Sequence, residues 1–320
     1  MKKYIIPLIC YSIIIIMLVN INEITDFLAK TVSSNQILTI ASGNDYAKDY
    51  NFLYVQNSED YVPHSYNDLT SIVYSIINQG WSEFTFYCPS EYKECIKDMS
   101  KLSKDEVTLT HINNYVHPYN SFETIETSIT ESGEIKVNIL YLYSEEQITA
   151  INEYVEKTIK VLYKENNDDY ENLKRIHDYI INNTKYDRKR NDEGNSEYES
   201  FNAYGPAIQG YATCNGYADL MAIILSKLNY QNYKVATTKN EISYESNGHI
   251  WNAVKIDDKW LHLDLTWDDP VDLNGNDYLY HKYFLVSTEE MNTADKGQVN
   301  VEEHNFNKSI YQEFMITSEN

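Results

Sequence analysis

Cys214 has the setting in this chain that most clearly suggests chemistry. From this cysteine onward, apolar side chains recur at helical spacing as far as Leu228, which predicts a helix with one buried face that starts at or just after Cys214. Gly210 and Gly216 flank the cysteine and allow a tight turn with close backbone approach. A thiol at a helix N-terminus faces N–H groups and the positive end of the helix dipole, which favour a thiolate and can bind an oxyanion. The alternative is a buried structural cysteine.

Two segments further along the chain are predicted to form a hairpin. Residues 249–256 and 259–266 both alternate between polar and apolar side chains, as strands do. Asp257 and Asp258 between them are typical turn residues. A two-residue turn at this place fixes which side chains of the two strands lie opposite each other.

The predicted hairpin brings a histidine and a carboxylate together. Its register places Trp251 opposite Asp264, with His249 one diagonal step away on the same face, and such neighbours lie about 7–8 Å apart. His262 shares this face and is the competing base. The alternatives are an ordinary strand histidine for His249 and a solvated or turn-capping role for Asp264.

A thiol, a base and an orienting carboxylate are what nucleophilic acyl transfer requires. The imidazole takes the thiol proton and later protonates the leaving amine. The carboxylate fixes the tautomer of the imidazole and stabilises the imidazolium. None of the three residues is decisive singly.

Three segments resemble ordered motifs of the transglutaminase-like superfamily. AYGPAIQGYATCNGYA at 203–218 resembles its nucleophile motif, and GHIWNAV at 248–254 resembles its histidine strand. WLHLDLTWDDP at 260–270 resembles its aspartate strand. The resemblance covers about 170–290, somewhat over a third of the chain.

The resemblance implies an α+β fold with a papain-like core, in which a helix bearing the cysteine packs on an antiparallel sheet bearing histidine and aspartate. It makes Cys214 the nucleophile, His249 the base and Asp264 the orienting residue. His177 is interpreted as structural. The candidates for the substrate cleft are Tyr204, Gln209, Trp251 and Trp267, with Gln209 considered as an oxyanion donor.

The loop after the aspartate strand is interpreted as structural. Asp268 and Asp269 are expected to brace it before Pro270. Residues 272–277 lack the EF-hand spacing and predict a turn rather than a calcium site. No metal site and no cofactor are predicted.

The N-terminus predicts export. Lys2 and Lys3 precede an apolar run at 4–19, which is either an uncleaved signal-anchor or a cleaved signal peptide. We favour the anchor because no A-x-A-like site follows. The predicted division is 1–22 targeting segment, 23–60 linker or stalk, 61–165 small N-terminal α/β domain, 166–290 catalytic domain and 291–320 C-terminal tail.

Two further cysteines leave two alternatives open. Cys88 and Cys95 are seven residues apart, and in an oxidising compartment they can pair, or both can remain free thiols. A zinc site that joins them with His111 and His117 is disfavoured, because the cysteine spacing is too wide. The 61–165 region shows no residues for chemistry and is expected to act in scaffolding or partner binding.

Composition excludes several classes of protein. The chain has 320 residues, of which 42% are hydrophobic, so a core can form and the chain as a whole is not disordered. Its formal net charge of −22 repels phosphate backbones, which excludes nucleic acid as a partner. Membrane contact is expected through the N-terminal segment only.

The predicted function is that of an exported thiol enzyme that acts on amide bonds through an acyl-enzyme. Water as the second substrate makes it a peptidase or amidase, and an amine makes it a crosslinking transglutaminase. We lean towards hydrolysis, and location suggests extracytoplasmic protein or cell-wall peptide as the substrate. The alternative is a catalytically silent binding module of the same fold at the cell surface.

Overall fold

The computed structural model describes residues 60–237, 248–270, 278–296 and 301–311, together with part of 20–27. The apolar run at 4–19, most of the predicted linker and the loop at 272–277 lie outside the described residues. In the part of the chain that is described, no helix has both the length and the apolar character needed to cross a bilayer.

The chain packs into two compact units, which are described separately. Of the described residues, the first unit contains 60–109 and 122–140, and the second contains 110–121 and 141 onwards. The predicted division at 165/166 separates domains that are able to fold alone. Compact packing does not measure whether a segment folds alone, so that division stays a prediction.

The first unit combines helices with a small sheet. Its sheet has the order β1-β3-β2, in which β2 and β3 form a hairpin around Gly133. Cys88 and Cys95 form a disulfide, which is one of the two alternatives left open by the sequence. The elements are α1 (Tyr66–Asn78), β1 (Glu83–Tyr87), α2 (Cys95–Leu102), β2 (Phe122–Ile129) and β3 (Glu134–Tyr141), and α3 (Glu106–Tyr115) crosses the unit boundary.

Helices in the second unit surround the helix that begins at Cys214. Ser144 forms a capping box: its side chain accepts from Gln147 N–H, and the Gln147 side chain accepts from Ser144 N–H. The elements before the sheet are α4 (Glu145–Leu162), α5 (Asp169–Asn183), β4 (Lys185–Tyr186), α6 (Arg188–Glu193), a π-helix (Gly205–Gln209), β5 (Tyr211–Ala212) and α7 (Cys214–Lys227).

A four-stranded antiparallel sheet of order β6-β7-β8-β9 supports α7. The hairpin turn is at Asp257 and Asp258, whose positive φ angles of 46° and 63° match the two-residue turns that favour such residues. The remaining elements are β6 (Asn232–Ala236), β7 (Ile250–Ile256), β8 (Lys259–Leu263), α8 (Leu265–Asp268), β9 (Phe284–Val286), α9 (Thr288–Asp295) and a 3₁₀ turn (Val301–His304).

Helix α7 is buried along most of its length, which explains its apolar sequence. Residues from Gly216 to Leu225 are all buried, and the helix packs against β6 and β7. On the sheet, the amide of Asn252 donates to the carbonyl of Ala218 at 2.9 Å. A helix packed on an antiparallel sheet confirms the predicted α+β class.

A buried ion pair also fixes α7. Lys234 on β6 and Asp219 on α7 are both nearly inaccessible, with 2.7 Å between Nζ and Oδ1. Tyr143 donates to the second oxygen of Asp219 at 2.6 Å and accepts from Ala203 N–H at 2.8 Å. The segment that leads to Cys214 is therefore hydrogen-bonded to the same network as the helix.

Gly216→Ala is expected to destabilise the second unit. A Cβ at Gly216 would collide with the carbonyl oxygen of Ser200 and lie 3.1 Å from that of Asn202. Overpacking of this kind costs about 1–3 kcal/mol, although alanine has the better helix propensity. Urea unfolding measures the loss. Lys227→Ala at the exposed end of α7 is the control and should change the free energy of unfolding by less than about 1 kcal/mol.

Candidate active site

Cys214 is the first residue of α7, as the sequence predicts, and it is half-buried. The N-cap residue Thr213 forms no side-chain capping bond. Instead, its N–H and its hydroxyl both donate to the carbonyl of Ser200, at 2.8 and 3.2 Å. Thr213 is therefore bonded to a neighbouring segment, and its side chain does not cap the N-terminus of α7.

His249 lies directly before β7, between the thiol and the carboxylate. Its Nε2 is 2.5 Å from Oδ2 of Asp264. The side chain and charge of Cys214 act on the ring and raise its pKa. Because Nε2 contacts the carboxylate of Asp264, Nδ1 is the ring nitrogen available to the sulfur of Cys214. The ring stacks on Trp251 with 5.7 Å between centroids.

Asp264 ends the β8 segment and is the N-cap of α8. Its Oδ1 accepts from the N–H groups of Thr266 and Trp267 at 2.9 and 3.1 Å. The side chain is about 1% exposed. These two backbone bonds fix one edge of the carboxylate, so the other oxygen points at His249. The hairpin register that predicted this approach is present, with Asn252 paired to Leu263.

The ionisation of the pair follows from its contacts. Burial alone lowers the pKa of His249, but Asp264 and then Cys214 outweigh it and raise that pKa well above the usual value. Burial alone raises the pKa of Asp264, but His249 and a second histidine, His304, bring it well below its usual range. The carboxylate is therefore charged, and it stabilises the protonated form of the ring.

His304 contacts Asp264, a contact that no sequence pattern predicted. Its Nε2 is 2.9 Å from Oδ2 of Asp264, and its Nδ1 is 2.8 Å from Oδ1 of Asp295. It lies in the 291–320 region that was predicted as a tail without a role. Its position depends on the folded path of the C-terminal segment, and no spacing or motif links it to His249.

His262, the competing base, has contacts at both ring nitrogens, and neither contact is with the thiol. Its Nδ1 accepts from Trp251 Nε1 at 3.0 Å, and its Nε2 is 2.9 Å from Thr288 Oγ1. Burial, followed by the charge of His304, lowers the pKa of His262 to about 3. It is therefore a neutral residue of the core.

The four cleft candidates have different surroundings. Trp251 is 1% exposed and donates its N–H to His262, so its ring packs in the core, and its role in the cleft stays a prediction. Trp267 lies close to the site, with its Nε1 3.1 Å from Glu303 Oε2.

For the other two candidates, the cleft role stays a prediction. Gln209 accepts through Oε1 from Glu199 N–H at 2.7 Å, which attaches it to the segment before the π-helix. Tyr204 is half-buried and packs against the hydrophobic core of the second unit.

His177 lies between two carboxylates, and neither of its contacts is with Cys214. Its Nδ1 is 3.0 Å from Asp178 and its Nε2 is 3.3 Å from the buried Asp268. Asp268 also accepts from the N–H groups of Lys282 and Tyr283 at 2.8 and 3.1 Å. These contacts brace the loop, in agreement with the structural interpretation of both residues.

Among the residues that the structure describes, two groups of donors are close enough together to be considered for a metal. They are His177 with Asp178 and His281, and His249 with Asp264 and His304. Within them the nitrogens lie 2.5–3.0 Å from the carboxylate oxygens. Tetrahedral ligands with bonds near 2.0 Å are about 3.3 Å apart. The spacing therefore fits direct hydrogen bonds rather than ligands of a shared ion.

Comparison with known proteins identifies the class of the central region. Residues 156–265 match the family model of the transglutaminase-like superfamily, so this part of the chain is a transglutaminase-like domain. The superfamily is one of cysteine-based enzymes. A search of curated proteins finds no match.

Two solved structures resemble the chain. One is a TGase, with 14% identity and a TM-score of 0.31 over 46% of this chain and 44% of that one. The other is a proposed cysteine protease from Cytophaga hutchinsonii, with 16% identity and a TM-score of 0.28 over 49% of this chain and 65% of that one. The chain thus spans less than two thirds of either protein.

The site should make stability depend on pH in both directions. The raised pKa values of His249 and His304 give stability that is fully present below about pH 6.5 and is lost as the pH rises through the folded values. The lowered pKa of Asp264 gives stability that is present above about pH 4 and is lost as the pH falls through the folded value. Urea midpoints from about pH 1.5 to 10 measure the acid and the alkaline loss of stability.

Asp264→Asn should lower the free energy of unfolding at pH 6 by about 3 kcal/mol and reduce both the acid and the alkaline loss, because it removes the charge that both histidines contact. Asp258→Asn, at an exposed turn, is the control and should leave the profile unchanged. An unaltered profile in Asp264→Asn would contradict the ionisation described here.

Proposed function

We propose that this chain is an exported thiol enzyme that acts on amide bonds of proteins or peptides through an acyl-enzyme on Cys214. The observation that carries the proposal is the His249–Asp264 pair, with 2.5 Å between Nε2 and Oδ2, whose histidine has its pKa raised by Cys214 at the N-terminus of a buried helix. The class of the domain supports the same chemistry.

The first half-reaction forms the acyl-enzyme. His249 takes the proton of Cys214 through Nδ1, and the sulfur attacks the carbonyl carbon of the amide. The C=O electron pair moves onto oxygen, and backbone N–H groups at the start of α7 stabilise the oxyanion. The intermediate then collapses, the C–N bond breaks, and His249 returns the proton to the leaving amine.

The second half-reaction releases the acyl group. Water or an amine gives a proton to His249 and attacks the thioester carbon, and the C–S bond breaks as the sulfur recovers the proton. Throughout, Asp264 holds Nε2 and stabilises the imidazolium. Water gives hydrolysis and an amine gives crosslinking. We favour hydrolysis, because water is abundant outside the cell.

Export is supported by the first unit and by the N-terminal sequence. Disulfides such as Cys88–Cys95 persist in oxidising compartments, and Lys2 and Lys3 before the apolar run at 4–19 are typical of an export signal. The substrates would then be extracytoplasmic proteins or cell-wall peptides.

The full chain, expressed in a bacterial host, is expected outside the cytoplasm with the Cys88–Cys95 disulfide formed. Mass spectrometry of its N-terminus distinguishes a retained anchor from a cleaved signal. Retention in the cytoplasm with both cysteines reduced would contradict export.

Cys214→Ala and His249→Ala are each expected to lower turnover by at least about 10³-fold, because each removes a member of a unit that acts together. Release of peptides from labelled casein measures hydrolysis, and incorporation of dansylcadaverine into casein measures transamidation. Which signal exceeds the other decides between the two acceptors.

His262→Gln is the matched control. It alters a buried histidine of the same hairpin that does not contact the thiol, so stability should fall while turnover per folded molecule stays within about threefold of the wild type. Equal loss in His262→Gln and His249→Ala would remove His249 as the base. A wild-type protein without either signal, but with retained binding of a cell-surface partner, would favour the silent binding module.

A further inference from the structure

His304 occupies a closed site between two carboxylates. It is about 1% exposed, with Asp264 on one side and Asp295 on the other. Aromatic rings surround it, including Tyr283 at 4.8 Å and Trp267 at 5.2 Å between centroids. Solvent therefore does not complete the hydrogen bonding of this ring, and the protein must supply both partners.

The two contacts of His304 determine its protonation. An ionised carboxylate only accepts hydrogen bonds, and a neutral imidazole has a single N–H. Asp264 already accepts two backbone N–H groups through its other oxygen, and Asp295 Oδ1 also accepts from the hydroxyl of Tyr283 at 3.0 Å. Each carboxylate is thus already an acceptor towards its other neighbours. Both contacts of His304 are satisfied only if both ring nitrogens carry protons.

We infer that His304 is a positioning residue of the thiol site, which acts as an imidazolium that donates to Asp264 and Asp295 and thereby fixes the carboxylate that orients His249. The inference rests on the proposed function, because it assigns His304 a role in that same site. Oδ2 of Asp264 is shared by the Nε2 atoms of His249 and His304, at 2.5 and 2.9 Å.

Sharing the carboxylate has two effects on His249. The bond from His304 prevents Asp264 from rotating away, so the base stays aligned with the thiol. The positive charge of His304, whose ring centroid is 5.4 Å from that of His249, also offsets part of the attraction that Asp264 exerts. His304 therefore moderates the basicity that Asp264 alone would give His249.

Several ionisable groups lie near His304. Burial alone lowers the pKa of His304, but the bonds to Asp264 and Asp295 outweigh it and raise that pKa, while the charge of His249 opposes them. The groups are Asp264 at the start of α8, His249 before β7, Asp295 at the end of α9, Tyr283 before β9, His262 on β8 and the preceding Glu303.

His304→Gln tests the inference through the pH dependence of Cys214 alkylation by iodoacetamide, followed by mass spectrometry of the Cys214 peptide. Glutamine keeps one hydrogen-bond donor but not the charge. The alkaline inflection, which reports loss of the His249 proton, should move up by about 0.5–1 pH unit. The rate at pH 7 should fall by about tenfold, because the carboxylate is less well fixed.

Asp295→Asn provides a second variant that leaves His304 in place. It removes the charge that holds the imidazolium, so the inflection should move in the same direction by a smaller amount. If His304→Gln does not fold, this variant decides the question. His281→Gln is the matched control, because His281 also contacts a carboxylate, Asp178 at 2.6 Å, but lies outside this network. It should leave the profile unchanged.

Nitrogen-15 NMR of the wild type tests the protonation without any reaction. Both ring nitrogens of His304 should carry protons at pH 7, and in Asp295→Asn the ring should lose one proton at a lower pH than in the wild type. A neutral His304 in the wild type would overturn the inference. So would a His304→Gln protein that melts earlier but keeps the wild-type inflection and rate, because that residue would then be only structural.

The same assays separate the two proposals. If His249→Ala leaves the pH profile of alkylation at Cys214 unchanged, the proposed function fails and the role of His304 fails with it. If His249→Ala abolishes the alkaline inflection while His304→Gln and Asp295→Asn do not move it, only the inference about His304 fails.

Discussion

The buried carboxylate of Asp264 is the constraint on which the arrangement of the site depends. A charge at 1% exposure is tolerated only when hydrogen bonds and opposite charges replace water. Two backbone N–H groups satisfy one oxygen and two imidazoles satisfy the other. His249, the proposed base, is therefore oriented by a carboxylate whose own burial depends on contact with that ring.

The rest of the second unit keeps the thiol within reach of that base. Helix α7 is held to the sheet by the Asn252–Ala218 hydrogen bond and by the Lys234–Asp219 ion pair. Its N-terminus is held by the bonds from Thr213 to Ser200. Buried polar contacts of this kind fix a unique geometry, since a shift of the helix would leave a buried charge or amide without its partner.

Local sequence patterns predicted the elements that carry the site. The apolar periodicity after Cys214 defined α7, and alternation on either side of Asp257-Asp258 defined a hairpin whose register brought His249 to Asp264. They could not separate His249 from His262, because both lie within that hairpin. Only burial and the contact with Trp251 show that His262 belongs to the core.

The sequence by itself determined the helix that begins at the cysteine and the pairing of histidine with aspartate, because these follow from short-range periodicity and turn chemistry, while the α+β class came from the resemblance of its motifs to a known family. The tertiary structure alone decided that Trp251 lies in the core, that Cys88 is bonded to Cys95, and that His304 contacts Asp264. His304 is forty residues from Asp264 along the chain. Their contact depends on the path of the intervening chain, and that path is fixed by packing of the whole unit rather than by any local pattern.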